Sequence, residues 1–453
     1  MLQVGGVLPL SAQEPAQEAI KPPAESAPAP YSTEEGRALI PSLEQSITPL
    51  ELEAALEWTL SCNPDLITLR QNLGVSAEAV GVARLFPTNL NPTLSVDVRP
   101  WVFAREPGPE VGRLQTLISV SLSQPVELGH RQAYRVSIAE AMYSQTSWNI
   151  LQAELLALVQ TYRLYETAAY RREKSRVAEE LAEFNNRLLD TLRRQLEANQ
   201  VPAADVVLAE VENQTTAQHV ETARQEYVAA VAELRQQIGV ADRVGWIEPT
   251  GALKLPQPFA VQDETALLQT ALASRPEVQA ARAQAAGSGT AVCLARADRI
   301  PVPSLGPAYE KDEAGASFYG MVLSTPVPVW NAGKPMVRQR EAEHCRDLVA
   351  LAQLQQKIIL QVRADLVRWN QAQQLVSRTI ALTEPTVSQA ARMDRLFEAG
   401  QADVVKLFTV RQRLIEAENT QLDALWQATQ AYADLLTALG ATPLMGALPR
   451  QSF

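Results

Sequence analysis

Two stretches of the chain alternate apolar and polar residues with a period of two. Thr93 to Phe103 reads TLSVDVRPWVF, with Leu94, Val96 and Val98 set between Thr93, Ser95, Asp97 and Arg99. Leu114 to Ser123 reads LQTLISVSLS, with Leu114, Ile118, Val120 and Leu122 against Gln115, Ser119, Ser121 and Ser123. Such alternation over ten residues, with a small and polar second face, predicts a strand pair. Ala316 to Pro326 predicts a fair third strand with Tyr319, Met321 and Leu323 on one face. Its partner, Val302 to Lys311, predicts a poor strand because Pro303 and Pro307 interrupt it.

The rest of the pattern is helical. Each strand region is preceded by a short helix (Leu50–Leu60; Glu264–Leu272), a break at Pro64 or Pro276, and a second helix. After the first strand pair, Arg131 to Glu197 contains neither Gly nor Pro, which predicts roughly 100 Å of unbroken helix. The chain turns at Asn199–Pro202 and returns from Ala203 to Ile238, with Gly239 as C-cap. A second long tract runs from Met336 to Ala399, with a kink expected at Pro385. It turns at Gly400–Gln401 and is closed by Gly440. The apolar stripe on these helices is thin, as in Leu151, Leu155, Leu158, Tyr162 and Tyr165, which suits packing against neighbouring helices rather than inside a globule.

The pattern occurs twice. LSQPV at Leu122–Val126 returns as LSTPV at Leu323–Val327, Glu197–Gln200 as Glu398–Gln401, and Leu234 and Gly239 as Leu435 and Gly440, each at a shift of 201. Upstream, Asn63-Pro64-Asp65-Leu66 matches Arg275-Pro276-Glu277-Val278 at a shift of 212. The chain therefore divides into a Pro/Ala-rich disordered leader (1–45, with an apolar start resembling the end of a signal segment), unit one (46–239), a linker (240–261), unit two (262–440) and a tail (441–453).

Composition narrows the function. A formal net charge of −11 argues against a protein that holds nucleic acid through its phosphates. Cys62, Cys293 and Cys345 are far apart and lack CxxC spacing, and the three His form no pair at i, i+4. No metal site, cofactor or catalytic set is expected, and the chain is not read as an enzyme. Ala285-Ala286-Gly287-Ser288-Gly289 lacks the Lys-Ser/Thr of a phosphate loop and is read as weakened helix. There is no run of 18 apolar residues. Ten-residue strands with one apolar face nevertheless have the length to cross a bilayer, and lipid tolerates no unpaired strand edge. Four strands cannot close, so several chains must share one barrel. Ser95, Asp97, Arg99, Ser119 and Ser121 are then the lumen-facing residues. Trp101 and Phe103 suit either a membrane-interface belt or ordinary packing.

These features resemble the TolC-like outer-membrane efflux proteins, over about Leu50 to Gly440. The resemblance rests on the Asn63-Pro64 and Arg275-Pro276 helix starts and on the strand exits SQPVELGHRQ (Ser123–Gln132) and STPVPVWNAGK (Ser324–Lys334). It also rests on the tip FEAGQADVVKLF (Phe397–Phe408) and the ending through Leu435, Leu439 and Gly440. It implies an α+β membrane protein: a homotrimer with a twelve-stranded barrel, four strands per chain, continued by a coiled-coil tunnel across the periplasm. It implies an outer-membrane efflux duct, with a periplasmic adaptor and an inner-membrane pump as partners. A duct for polypeptide secretion is the alternative, and a soluble coiled-coil scaffold a weaker one. The implied tip, gate or adaptor-contact residues are Asn199, Gln200, Asp205, Gly400, Gln401, Asp403 and Lys406. The family's acid six positions after the tip Gly is Asp205 in unit one but Lys406 in unit two. An Asp403–Lys406 ion pair and a gating role both stay open.

Overall fold

The computed structural model describes residues 48–85, 91–99, 116–240, 245–257, 263–312, 316–329, 332–399 and 401–443. The leader and most of the tail lie outside these, as do Trp101, Phe103, Leu114 and Gln115.

The helix boundaries follow the sequence pattern closely. Two short helices, α1 (Leu52–Cys62) and α2 (Pro64–Arg84), lead into strands β2 (Thr93–Arg99) and β3 (Leu117–Pro125). A 67-residue helix, α3 (Arg131–Glu197), follows and is paired by α4 (Ala203–Ile238). The second half repeats the order with α5 (Glu264–Ser274), α6 (Pro276–Ala297), β5 (Ser304–Lys311), β6 (Ser317–Ser324), α7 (Lys334–Glu398) and α8 (Val404–Leu439). Helix α7 continues through Pro385, where the missing N–H leaves one carbonyl without its helical donor. The Ala285–Gly289 stretch is continuous helix within α6. Its glycines let helices approach: a Cβ on Gly287 would stand 3.1 Å from the Ala141 Cβ of α3, and one on Gly289 3.2 Å from the His344 ring of α7.

Two features depart from expectation. The segment expected to be a poor strand forms β5 from Ser304 to Lys311, paired on both sides. The cost of its proline is local. The β3–β5 ladder pairs Ile118–Ser121 with Lys311–Ala308 and Gln124–Pro125 with Leu305–Ser304, and is interrupted opposite Pro307 and Gly306. There a Cβ on Gly306 would lie 1.6 Å from the Leu122 carbonyl oxygen, so the lost proline donor is offset by a close backbone approach that only glycine permits. Second, β1 (Thr48–Leu50) pairs in parallel with β4 (Ile247–Pro249), inside the segment read as linker. Leu50 and Ile247 are buried there with Tyr165 of α3, Val231 and Ile238. The Tyr165 hydroxyl donates to the Leu50 carbonyl at 3.0 Å and accepts from the Gly251 N–H at 2.9 Å.

The helices form a layer four wide. Near the tips the neighbours run α4–α3–α8–α7; near the strands they run α2–α3–α6–α7. Two shorter helices stacked end to end therefore accompany each long one. At the first junction, where α4 ends above the start of α2, Gly239 has φ +80°, and a Cβ there would meet the Cys62 carbonyl oxygen at 2.4 Å. The Asn63 side chain accepts from the N–H groups of Asp65 (3.0 Å) and Leu66 (3.1 Å) and donates to the Gln237 carbonyl (2.7 Å). At the second, Gly440 has φ +68° and packs on Arg275. Each flank of the layer is apolar and bare within the chain. On α7, Val349, Leu360, Val367, Leu382 and Leu396 are exposed, and their spacings of 11, 7, 15 and 14 residues are near whole turns, so they share one face. At the opposite flank Val75 and Val82 of α2 and Val207 and Val211 of α4 are exposed.

Candidate functional site

The four longer strands form one antiparallel sheet in the order β2-β3-β5-β6, so β2 and β6 are its edges. Residues paired across a ladder lie on the same face, and successive residues alternate. One face carries Leu94, Val96 and Val98, then Ile118, Val120 and Leu122, then Leu305, Pro307 and Tyr309, then Tyr319, Met321 and Leu323. Its outer strands are open to the surroundings: Leu94 is 63% exposed, Tyr319 83% and Leu323 70%. The Tyr309 and Tyr319 rings lie 5.2 Å apart on this face.

The opposite face holds all five residues expected to line a lumen. Ser95 pairs with Ser121 and Asp97 with Ser119, while Arg99 closes on Asp97 at 2.8 Å. The register adds what the sequence pattern hid in β5 and β6. One row crosses the sheet as Asp97, Ser119, Glu310 and Phe318; the next as Ser95, Ser121, Ala308 and Gly320. Glu310 was missed because the prolines blurred the alternation that would have assigned its face, and Phe318 becomes its neighbour only through the β5–β6 register.

At the far end of the helices the two tips close alike. The Gln200 N–H donates to the Gln195 carbonyl at 2.8 Å, and the Gln401 N–H to the Leu396 carbonyl at 2.9 Å. Asn199, standing where unit two has Gly400, has φ +55°; Asn is among the few side-chain-bearing residues that visit this region readily. Gly400 itself lies outside the described residues. The tips pack on each other through Leu188, Leu189, Leu192, Val206, Val404 and Leu407. Asp205 is half-buried in the first turn of α4, and Asp403 and Lys406 are exposed. Asp403 occupies the N-cap of α8 in extended conformation, and no ion pair joins it to Lys406.

Between the sheet and the tips the helices carry buried charge. The Asp365 carboxyl on α7 is buried and pushed up, first by that burial and then by Asp434; Arg368 lies 3.2 Å away. Arg275 is buried beside Glu277 and Gln361, and burial lowers its guanidinium. Arg163 of α3 pairs with Asp434 of α8. On α3, burial pushes the Glu166 carboxyl up to about 7. The His344 ring shares a hydrogen bond with the Ser288 hydroxyl at 3.1 Å. Among the described residues no group of three His, Cys, Asp or Glu converges as a metal site would, and no helix is long and apolar enough to cross a membrane.

A family model described as outer membrane efflux protein matches residues 267–441. The pyoverdine export outer membrane protein OpmQ of Pseudomonas putida is 27% identical over 37% of this chain and 38% of its own length. The alkaline protease secretion protein AprF of Pseudomonas aeruginosa is 24% identical over 71% of this chain and 67% of its own. The match to OpmQ thus spans well under half of that protein. Among solved structures, CusC aligns with a TM-score of 0.70 at 15% identity, covering 86% of this chain and 92% of that one. The open-state MtrE outer membrane channel of Neisseria gonorrhoeae aligns at 0.67 and 18%, covering 86% and 89%. These structures share the fold over nearly the whole described length.

Proposed function

Since this chain belongs to the TolC-like outer membrane efflux proteins, a family of channels, we propose that it is the outer-membrane duct of a tripartite export system. It lies in the outer membrane and passively conducts cargo out of the cell. The observation that carries this reading is the sheet. One face is apolar and exposed on its outer strands, the other mostly small and polar, and both edges are unpaired among the described residues. Water would penalise the first face and lipid would penalise the edges, so lipid outside, water inside and further copies at the edges satisfy all three. The strands run alternately up and down, and β6 of one copy would meet β2 of the next antiparallel, so whole copies can be added without breaking the ladder. The helical layer, bare and apolar on both flanks, would close the same way.

Three copies, a twelve-stranded barrel and a helical tunnel in the periplasm complete the proposal, with each chain a duplicated unit. A periplasmic adaptor, fed by an inner-membrane pump, would dock at the tips around Asn199, Gln200, Gly400 and Gln401. Asp205, Asp403 and Lys406 lie at the tip ends of the returning helices and are the candidate gate residues. The names of the two curated relatives speak of pyoverdine export and of alkaline protease secretion, so polypeptide secretion through the same duct is a second reading. The test is membrane fractionation followed by native mass in detergent. Outer-membrane location and three times the monomer mass are expected; a monomer released without detergent would overturn the proposal.

A further inference from the structure

Toward the end remote from the helices, the small-polar face of the sheet carries a row that combines charge with an aromatic ring. Thr93, Pro125, Ser304 and Ser324 mark the strand ends joined to the helical layer, so Asp97, Ser119, Glu310 and Phe318 lie toward the opposite, outer end. Within this row the charges are not equivalent. Asp97 is neutralised by Arg99 at 2.8 Å. Glu310 is exposed, and among the described residues no Lys or Arg stands within ion-pair distance of it. Its sequence neighbour Lys311 falls on the opposite face, in register with Ile118. Asp312 is taken up by the Ala316 N–H at 2.8 Å.

The residue directly across the ladder from Glu310 is Phe318. Facing residues on one side of an antiparallel pair have Cβ atoms about 5 Å apart. Phe318 is 54% exposed, and the next row toward the helices on its face is Ser95, Ser121, Ala308 and Gly320. A carboxylate without a counter-ion beside an open aromatic face is the chemistry that receives an organic ammonium: the carboxylate takes the charge, while the ring takes the adjoining alkyl groups and attracts the cation through its quadrupole. Inorganic cations would use the carboxylate alone.

We propose that Glu310 and Phe318 form a low-affinity site for organic cations at the outer mouth of the bore, one per protomer, which favours passage of amine-bearing cargo. This rests on the reading of the sheet as a channel wall. The test uses the full-length protein in planar bilayers, with benzyltrimethylammonium as probe and the K+/Cl− reversal potential as second readout. The wild type should conduct, prefer K+ and be blocked by the probe from the outer side. E310Q should weaken the block about tenfold and shift the reversal potential toward zero. F318L, which keeps apolar bulk but removes the ring, should weaken the block several-fold while shifting the reversal potential much less. Conducting channels whose block and selectivity ignore both substitutions would overturn the site alone. Absence of any conductance in the wild type would overturn the channel-wall reading and the site with it.

Discussion

The two halves of the chain build the same elements with different side chains, and the differences show which features the architecture requires. At both helix junctions a glycine with positive φ is followed in space by an X-Pro helix start. In the first half the X is Asn63, which caps α2 through its own side chain. In the second it is Arg275, which makes no cap hydrogen bond and instead joins Glu277, Gln361 and the buried Asp365. Backbone geometry is common to both; the polar chemistry that satisfies it is interchangeable. The strand pairs differ similarly. β2 and β3 alternate cleanly, whereas β5 keeps its register past Pro307 because Gly306 lets the backbone of β3 come close.

The largest effect should come from Gly306. G306A places a methyl group inside the Leu122 carbonyl, and its cost, on the order of 3 kcal/mol or more, should abolish the proposed oligomer, read as native mass in detergent. G320A, where nothing lies within 4 Å, should leave that oligomer intact.

The junctions should rank next. Both G239A and G440A incur left-handed strain of about 1–2 kcal/mol. Only G239A also meets a backbone oxygen, at 2.4 Å, while the nearest atom to Gly440 is the movable Arg275 Cγ at 3.0 Å. The thermal midpoint by circular dichroism should therefore fall further for G239A.

Glu166 tests a difference in charge, since the residue 201 positions on is Val367. Its folded-state pKa, about 7, stands above the ordinary 4.5 of a glutamate carboxyl because burial penalises the carboxylate. Below the lower value both states are protonated and nothing is lost. As pH rises through the window the folded state retains the proton longer, stability falls, and the full penalty stands above about 7. E166Q should accordingly raise the midpoint at pH 8, by up to about 3 kcal/mol in stability, with the gain vanishing near pH 4.5. The smallest effect expected is that of Asn63→Ala, about 1 kcal/mol, read from the same melting curves.

Much of this architecture was legible along the chain. The Gly- and Pro-free tract ending at Glu197 and the capping glycines Gly239 and Gly440 bound the helices where the structure places them. The clean alternation in β2 and β3 assigned Ser95, Asp97, Arg99, Ser119 and Ser121 to one face. What failed depended on partners distant in sequence. Pro307 read as a strand breaker because a single strand cannot reveal that Gly306 will meet the Leu122 carbonyl. Glu310 and Phe318 become neighbours only through the β5–β6 register. The β1–β4 pair joins segments of three residues separated by almost two hundred, too short to leave a period. The Asp403–Lys406 ion pair assumed helical spacing, but Asp403 is the extended cap before the first turn.

The central claim is that one face of the sheet meets lipid and the other an aqueous bore. Its most direct measurement is thiol accessibility along β6 in intact outer membranes. The three native cysteines, all exposed, are first replaced by serine, and Phe318 to Leu323 are then changed to cysteine one at a time. With a small water-soluble maleimide, F318C, G320C and V322C should label, while Y319C, M321C and L323C should stay unlabelled. A period of two in that phase is the predicted result. Uniform labelling of all six positions, as on a sheet bathed by water on both sides, would contradict it.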